Sequence, residues 1–341
     1  MEKTKIMICG ASGFIGHNLF EYFSSLDNHE VYGTYFNNKP HPVRGKMSFP
    51  GGSSADHAFQ AGRTSNGADP KIVPADLRDK ETALRVTKDM DIVINAAAAK
   101  VGGIGIFSVK ENARDKAETN NPINSNLAEA AHINGVKHFI FLSCTVMYPS
   151  SDIPLAEESI DIEKINPIYS ISAKMKIFGE DCCRHYADLG STKYTVVRHT
   201  NIYGPHDKFD LAYSHVLAST IVKVMRAERE ITVWGQGTET RDFLYISDLL
   251  DFIKTAIDRQ KNGFEVFNVG FGKTYSINDL VKIITSCFNK KLTVIHDLQK
   301  PTIDSHISIN VEKARRLLNW KANVGLREGL IKTIEWYKKN Q

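Results

Sequence analysis

The sequence lacks the features of three common protein classes. No apolar run in its 341 residues approaches the roughly 20 residues that a membrane helix needs. The N-terminal stretch MEKTKIMICG lacks the apolar region and cleavage site of a signal peptide. The five cysteines are odd in number and form no CxxC pair, so neither a disulfide framework nor a zinc site is indicated, and no metal is expected.

The chain also carries little excess of positive over negative charge. The formal net charge is +4, and no dense basic patch indicates binding to nucleic acid. Apolar residues make up 42% of the chain and charged residues 24%, which is the usual balance of a soluble protein. We therefore expect a cytoplasmic protein with no membrane or nucleic-acid partner.

Short apolar runs alternate with helical patterns in the first half of the chain, which is typical of βαβ units and a parallel sheet. The predicted strands are Lys5–Cys9, Glu30–Tyr35, Lys71–Pro74, Asp91–Asn95, His138–Ser143 and Tyr194–Arg198, and the predicted helices are 14–25, 79–89, 119–134 and 168–188. The pattern loosens after residue 200, with a helix near 214–228 and the strand Ile231–Trp234. We expect an α/β fold with a doubly wound parallel sheet and a smaller C-terminal α/β lobe.

The predicted domains are residues 1–200, with 237–268 returning to them, and residues 201–341. Residues 37–70 are rich in Gly, Pro, Ser and Asn and show no periodicity. A segment of that length is usually a surface loop and sometimes a lid, and we favour the surface loop.

A glycine-rich turn joins the first predicted strand to the first helix. Its glycines permit a tight turn, a close approach of backbone to a pyrophosphate and close packing of helix on strand. The phosphates then lie at the positive end of the helix, so a Rossmann site for a nicotinamide dinucleotide is predicted. The turn is Gly10, Ala11, Ser12, Gly13, Phe14, Ile15 and Gly16, a G-x-x-G-x-x-G spacing.

The end of the second strand favours NADP over NAD. An NAD site usually has an acidic residue there to bind the ribose 2′-hydroxyl. This chain has Asn37, Asn38 and Lys39 instead, which suit a 2′-phosphate. Asp76, followed by Leu77, is expected either near the adenine or as the N-cap of the following helix.

Several motifs resemble those of the extended short-chain dehydrogenases, which include the NAD-dependent epimerases and dehydratases. Within that family the resemblance is strongest to the GDP-L-fucose synthases, and it covers almost the whole chain outside 37–70. The motifs are Asn95–Ile104, Ser143–Pro149, Thr200–Asp207, Ser214–Val216, Trp234–Thr238, Arg241–Phe243, Asn268–Gly270 and Lys300–Pro301.

The resemblance implies an NADP-dependent 4-reductase, with possible 3,5-epimerase activity, of GDP-4-keto-6-deoxymannose. It also implies a homodimer, a nucleotide-sugar substrate and a place in polysaccharide synthesis. It extends the cofactor site to Ala97, Ala98, Leu142, Ser143, Lys174, Thr200, Asn201 and Ile202.

Reduction of a sugar carbonyl needs a proton donor, which the family supplies as a Tyr-x-x-x-Lys pair on a helix. Here Tyr169 is followed by Lys174 at i+5, because Ala173 occupies i+4. An α-helix places i+5 roughly 140° from the tyrosine. We expect either a π-bulge that restores the pair or an impaired site with a solvent-facing lysine.

Two further catalytic positions differ from the family pattern. The family's serine position is Cys144, a weak hydrogen-bond donor, so the neighbouring Thr145 is an alternative. The family's epimerase cysteine position is Val146, which cannot exchange a proton, while the histidine is retained as His215. We expect His215 to be a single base or a sugar contact, unless it is a structural residue at a helix start.

Four residues are expected to contact the substrate, by position in the family pattern: Lys223, Trp234, Arg241 and Lys300. Cationic side chains suit a pyrophosphate. Trp234 is either a stacking residue or a core residue, and Arg241 either binds substrate or pairs with Asp242. Two alternative functions stay open: an epimerase or dehydratase that retains NAD, and a catalytically silent dinucleotide-binding regulator.

Overall fold

The computed structural model describes residues 2–36, 71–98, 109–211 and 214–341, with backbone alone over 109–116. The predicted loop 37–70, including Asn37, Asn38 and Lys39, lies outside these residues. So do residues 99–104 of the Asn95–Ile104 motif. No helix in the described parts has the length and apolar character needed to cross a membrane.

A seven-stranded parallel sheet forms the centre of the fold, as predicted. Its strands follow the order β3-β2-β1-β4-β5-β7-β11, the doubly wound order extended by one edge strand. The strands are β1 (Thr4–Cys9), β2 (His29–Tyr35), β3 (Ile72–Pro74), β4 (Ile92–Asn95), β5 (His138–Cys144), β7 (Lys193–His199) and β11 (Phe264–Val269). The inner strands are continuous apolar runs because both faces of the sheet are covered.

Helices cover both faces of the sheet. The helices are α1 (Phe14–Ser24), α2 (Lys80–Thr87), α3 (Val109–Ile133), α4 (Ser170–Leu189), α5 (Val216–Arg226), α6 (Ile246–Arg259), α7 (Ile277–Cys287), α8 (Glu312–Leu318) and α9 (Leu326–Lys339). Helices α2, α3 and α4 pack side by side on one face, and α1 and α6 pack together on the other. The prediction placed the start of α3 ten residues too late.

Three small sheets lie outside the central sheet, and most of their strands come from the C-terminal half of the chain. They are β8 (Asn201–Tyr203), β10 (Thr240–Tyr245) and β12 (Thr274–Ser276); β9 (Glu230–Trp234) and β13 (Thr293–Asp297); and β6 (Ser151–Leu155) and β14 (Ile307–Ile309). The larger apolar core runs from α1 and the sheet into α5, α7 and α9 without a break. The predicted domain boundaries stay a prediction; the pairing of β11 with β7 agrees with a return of 237–268 to the first domain.

Candidate active site

A cleft of about 640 Å³ lies between the carboxyl edge of the central sheet and the C-terminal lobe. That volume is within the usual range for a small-molecule site, and the position is where doubly wound folds bind ligands. The predicted site residues that line it are Phe14, Ile15, Ala98, Cys144, Thr145, Tyr169, Thr200, Asn201, Ile202, His215, Lys223, Trp234 and Arg241. Sequence reasoning therefore located the cleft from residues that are far apart in the chain.

The glycine turn has the close packing that its motif predicts. Gly10 has φ +85°, and a Cβ built on it would lie 2.8 Å from the Cα of Ala97. A Cβ on Gly16 would lie 2.1 Å from the carbonyl oxygen of Gly10. Thr34 holds the turn against β2, because its Oγ1 accepts from the Gly10 N–H at 3.1 Å. A side chain at Gly16 would push α1 away from the turn, and one at Gly10 would clash with the backbone of Ala97.

The first turn of α1 is suited to phosphate. Gly13 is its N-cap, no side chain caps its free N–H groups, and it contains no acidic residue. Ser12 and Gly13 are exposed, so this helix end is accessible. An uncapped helix N-terminus with a glycine-rich approach binds anions through N–H groups and the helix dipole. These residues fit the pyrophosphate of a nicotinamide dinucleotide.

Asp76 does not cap α2, so that alternative is wrong. Asp79 is the N-cap and accepts from the Thr82 N–H at 2.8 Å. Asp76 instead binds Arg78 through two side-chain contacts of 2.9 and 2.6 Å. Arg78 also lies over the ring of Phe36, 5.1 Å from its centroid, just beyond β2. The end of β2 thus has a cation beside it, a residue that sequence reasoning did not single out.

The end of β5 divides its side chains between the core and the cleft. Ser143 is fully buried, and its hydroxyl donates to Glu180 at 2.5 Å, so it does not reach the cleft with its side chain. Glu180 is also paired with Arg198 at 2.6 Å. Cys144 and Thr145 both line the cleft, so either can serve at the serine position. Burial raises the pKa of the Cys144 thiol, which keeps it protonated.

The predicted π-bulge in α4 is wrong. Residues Ser170–Leu189 form a regular α-helix, and Tyr169 ends a 3₁₀ turn directly before it. Lys174 is exposed and is not part of the cleft lining. The physical reason is the helix period, which turns an i+5 residue away from the face that carries Tyr169. The α4 lysine that lines the cleft is Lys176.

Lys176 is held by groups at the end of β5. Its Nζ donates to the carbonyl oxygen of Leu142 at 2.6 Å and lies 4.9 Å from the ring centroid of Phe141. Burial lowers the pKa of this ammonium, and the nearby Cys144 and Glu180 oppose the shift. Ser172, one turn before Lys176, also lines the cleft. The α4 face that meets the cleft therefore carries residues 172 and 176, which are spaced i and i+4.

Tyr169 lies in the cleft near two groups that interact with it electrostatically. Burial raises the pKa of its phenol, while Arg241, which hydrogen bonds to it, lowers the pKa, and Cys144 raises it. Since Cys144 also interacts with the Lys176 ammonium, the thiol lies near both the phenol and the lysine. All three residues line the cleft, and the positive charge that acts directly on the phenol is that of Arg241.

His199 is a cleft residue that sequence reasoning missed. It ends β7 beside Cys144 of β5, and its Nδ1 lies 2.8 Å from the carbonyl oxygen of Thr200. Burial lowers its pKa to about 4, so it is neutral at pH 7. The signal was its position directly before the Thr200 motif, at a strand end of the predicted sheet.

Cationic and aromatic side chains form the opposite wall of the cleft. The Nζ atoms of Lys223 and Lys300 lie 5.7 and 5.8 Å from the ring centroid of Trp234. Trp234 is half-buried and lines the cleft, so the expectation of a core tryptophan is wrong. Lys300 packs over the Trp234 ring, although it does not itself line the cleft. Two ammonium groups on one indole form a surface suited to an anionic, partly planar ligand.

Arg241 binds the segment that closes this wall. Its guanidinium donates to the carbonyl oxygens of Ile303, at 3.2 Å, and of Ser305. Asp242 is buried and accepts instead from the Gly272 N–H at 2.7 Å and the Phe271 N–H at 3.0 Å. The alternative of an Arg241–Asp242 salt bridge is therefore not found among the described residues. Arg241 links Tyr169 to the 303–305 segment.

His215 and Val146 both line the cleft. His215 is the N-cap residue of α5, but its side chain makes no capping hydrogen bond, so a capping role does not explain it. His215 is exposed towards the cleft, and desolvation by the surrounding protein atoms, together with the charge of Lys208, lowers its pKa. A neutral imidazole is suited to accept a proton. Val146 offers no such group on its side of the cleft.

Comparison with known proteins identifies related chains. The model of a family described as the NAD dependent epimerase/dehydratase family matches residues 6–270. GDP-L-fucose synthase 1 of Arabidopsis thaliana is 31% identical over 260 residues, which cover 74% of this chain and 79% of that protein. UDP-N-acetyl-alpha-D-glucosaminuronate decarboxylase of Bacillus cytotoxicus is 28% identical over 346 residues, 98% of each chain. UDP-glucuronic acid 4-epimerase of Bacillus cereus, solved with UDP-glucuronic acid and NAD, matches with a TM-score of 0.78 at 22% identity, covering 99% of this chain and 100% of that chain.

Proposed function

Because this chain belongs to the NAD dependent epimerase/dehydratase family, we propose that it is an NADP-dependent reductase of a GDP-linked 4-keto-6-deoxy sugar. The chain is an NAD(P)-dependent nucleotide-sugar enzyme, and the interpretation as a silent regulator is set aside. The presence of Tyr169, Cys144 and Lys176 in the lining of one cleft is the observation that carries the proposal. The resemblance to GDP-L-fucose synthases supports the choice of substrate.

Reduction requires a proton for the alkoxide that forms at the sugar carbonyl. A nicotinamide dinucleotide bound at the glycine turn would supply the hydride. Tyr169 holds the proton, since burial raises the pKa of its phenol. Lys176 replaces Lys174 in this proposal and provides the positive charge that favours proton release. The Thr145 hydroxyl or the Cys144 thiol completes the hydrogen bonds to the reacting oxygen.

Cofactor binding is assigned to the glycine turn and the strand ends around it. Gly10, Gly13 and Gly16 provide the close backbone approach. Phe14, Ile15, Ala98 and the Thr200–Ile202 segment line the cleft where the nicotinamide half extends from that turn. The indole of Trp234, with Lys223 and Lys300, is assigned to the nucleotide and pyrophosphate of the substrate.

NADP is preferred in this proposal because the end of β2 lacks an acidic side chain and has Arg78 beside it. A charge-assisted hydrogen bond contributes about 1.5–3 kcal/mol. Dissociation constants for NADPH and NADH, measured by fluorescence, are expected to favour NADPH. Arg78→Ala and Lys39→Ala are expected to weaken NADPH binding by about 10- to 100-fold and leave NADH almost unchanged. Tighter binding of NADH by the wild type would overturn the NADP assignment.

An NAD-retaining epimerase or decarboxylase is the second candidate. One observation favours it: the decarboxylase match covers 98% of this chain, whereas the GDP-L-fucose synthase match covers 74%. Such an enzyme keeps its dinucleotide through each cycle. Heat denaturation of freshly purified protein, followed by chromatography of the released nucleotide, separates the candidates. Stoichiometric NAD supports the second, and little or no bound nucleotide supports the reductase.

The substrate test is a panel of GDP-, UDP-, CDP- and dTDP-linked 4-keto sugars incubated with NADPH. NADPH oxidation and product mass are expected to change with the GDP-linked 4-keto-6-deoxy sugar. Oxidation only with a sugar on another nucleotide would move the assignment to that nucleotide. Absence of oxidation with every sugar, by folded protein, would overturn the reductase proposal.

The epimerase question is tested in deuterated water without reductant. Because Val146 cannot exchange a proton, deuterium is expected at no more than one of the two carbons that flank the ketone. His215→Ala is expected to abolish that labelling, while Val146→Cys is expected to extend the labelling to the second carbon. Prompt labelling of both carbons by the wild type would contradict the assigned roles.

The remaining proposals rest on the family resemblance. We propose a homodimer that acts in the cytoplasm in polysaccharide synthesis. Light scattering of the purified chain is expected to give twice the mass of 38.2 kDa, and a monomer mass would contradict the dimer.

A further inference from the structure

Two histidines and a glutamate meet behind the glycine turn, outside the cleft. His17 and Glu21 lie one turn apart on α1, and His206 lies in the loop after β8. Glu21 places one carboxylate oxygen 3.0 Å from Nε2 of His17 and the other 3.6 Å from Nε2 of His206. One ligand atom from each of the three side chains lies within 4.8 Å of the others. No other cluster of this kind occurs among the described residues.

These separations match the coordination shell of a zinc ion. Zinc binds histidine nitrogen and carboxylate oxygen at about 2.0–2.2 Å, so tetrahedral ligands lie about 3.3 Å apart. The observed distances, 3.0 Å from His17 to one carboxylate oxygen and 3.6 Å from His206 to the other, lie on either side of that value, and one ligand atom of each residue lies within 4.8 Å of the others. Imidazole nitrogens with a carboxylate oxygen are a donor set that zinc accepts, and water can fill the fourth position.

The surroundings hold the three side chains in place. The side chains of His17 and Glu21 are each 12% exposed and that of His206 is 23% exposed, so all three are largely shielded from solvent. The His206 ring lies 4.2 Å from the ring of His17 and 4.7 Å from that of Trp336 on α9. Asn18 of α1 donates to the carbonyl oxygen of Pro205 at 3.0 Å, which fixes the loop against the helix.

We propose that His17, Glu21 and His206 form a binding site for a divalent transition-metal ion of the Zn²⁺ type. The ion joins the helix that follows the glycine turn to the loop that leads from β8 into the C-terminal lobe. Because Trp336 packs on His206, the ion also stabilises the position of α9. The site is independent of the proposed reaction, since none of its three ligands lines the cleft.

The test uses the full chain, produced without a histidine tag and freed of metal with a chelator. Zn²⁺ is titrated in competition with a chromophoric chelator, and Co²⁺ is added separately to read its visible spectrum. We expect one Zn²⁺ per chain, a tetrahedral Co²⁺ spectrum and a higher temperature of unfolding with Zn²⁺.

Three variants remove one ligand each: His17→Gln, Glu21→Gln and His206→Asn. Asparagine is chosen at 206 because this residue has φ +67°, which asparagine tolerates. Each variant is expected to weaken Zn²⁺ binding more than about 100-fold, since loss of even an outer-shell partner costs 10- to 100-fold. Glu21→Gln retains the shape of the side chain, so its fold is expected to be intact by circular dichroism.

Two controls separate this cluster from other zinc ligands. His185→Gln removes an exposed histidine of α4, and Cys144→Ser removes the cleft thiol beside His199. Both are expected to bind Zn²⁺ as the wild type does. Wild-type binding no tighter than that of Glu21→Gln would overturn the proposal, as would loss of binding in Cys144→Ser.

Discussion

The glycine turn and the start of α4 both place a helix at the carboxyl edge of the same sheet, yet they follow their motifs to different degrees. At the glycine turn, a missing Cβ is required by contacts of 2.8 and 2.1 Å with neighbouring backbone, so the residue type determines the geometry. At α4 the motif residues are long side chains, and the start of the helix decides which lysine faces the cleft. Backbone requirements can be inferred from sequence more securely than the direction of a side chain.

The difference at α4 comes from where the regular helix begins. Tyr169 belongs to a 3₁₀ turn, and Ser170–Leu189 is α-helical. Because the helix is regular from Ser170, no bulge returns Lys174 to the face that carries Tyr169, whereas Lys176 lies on the face that lines the cleft. Lys176, seven residues after Tyr169, donates to the carbonyl oxygen of Leu142 at the end of β5.

The largest effect is expected from the two lysines of α4. Lys176→Met is expected to lower kcat about 10²- to 10⁴-fold, the range for a lost proton-transfer group. Lys174→Met, the matched control, is expected to stay within about twofold because an exposed substitution rarely changes free energies by more than 0.5 kcal/mol. Steady-state kinetics with the substrate identified in the panel measures both. The reverse order of effects would restore Lys174 as the catalytic lysine.

A smaller effect is expected at the glycine turn. Gly16→Ala introduces a methyl group 2.1 Å from the Gly10 oxygen, so we expect a loss of about 1–3 kcal/mol in the free energy of unfolding and weaker NADPH binding. Gly263→Ala is the control, because a Cβ there meets no atom within 4 Å. Urea unfolding compares the two. Equal stability of both variants would show that the close packing of α1 on β1 is not required.

Much of the fold was predictable because hydrophobic runs and helical periods alternate regularly along the first half. The sheet, the glycine turn and the cleft position were confirmed. Three features were not predictable from local pattern: the side chain of Ser143 is directed to Glu180, Arg78 lies over Phe36 at the end of β2, and Asp79 rather than Asp76 caps α2. Each depends on a tertiary contact or on a helix boundary, and neither is encoded in spacing alone.

The smallest effect concerns His199, which belongs to neither motif. Its pKa is about 4 when folded and about 6.5 when unfolded. As pH falls from about 6.5 towards 4, the unfolded chain gains a proton that the folded chain does not bind, so stability decreases with falling pH.

Between about pH 7.5 and 4.5, the wild type is expected to lose about 1–2 kcal/mol more in the free energy of unfolding than His199→Gln. That figure is reduced from the full shift because His199 is partly exposed in the cleft. His185→Gln, at an exposed position, is expected to follow the wild type. Urea unfolding at both pH values measures the difference. An identical pH dependence in wild type and His199→Gln would show that His199 is not held neutral.

The central claim, that the Lys176 ammonium acts in the cleft, is tested most directly by chemical rescue. Lys176→Ala leaves a space in the cleft wall that a small amine can enter, and methylammonium is expected to restore activity in a saturable manner. Tyr169→Phe, which lacks the proton donor, is expected to remain inactive at every amine concentration. Saturable recovery of Lys176→Ala alone is the predicted result. Full activity of Lys176→Ala without amine, or recovery of Lys174→Ala instead, would contradict the account.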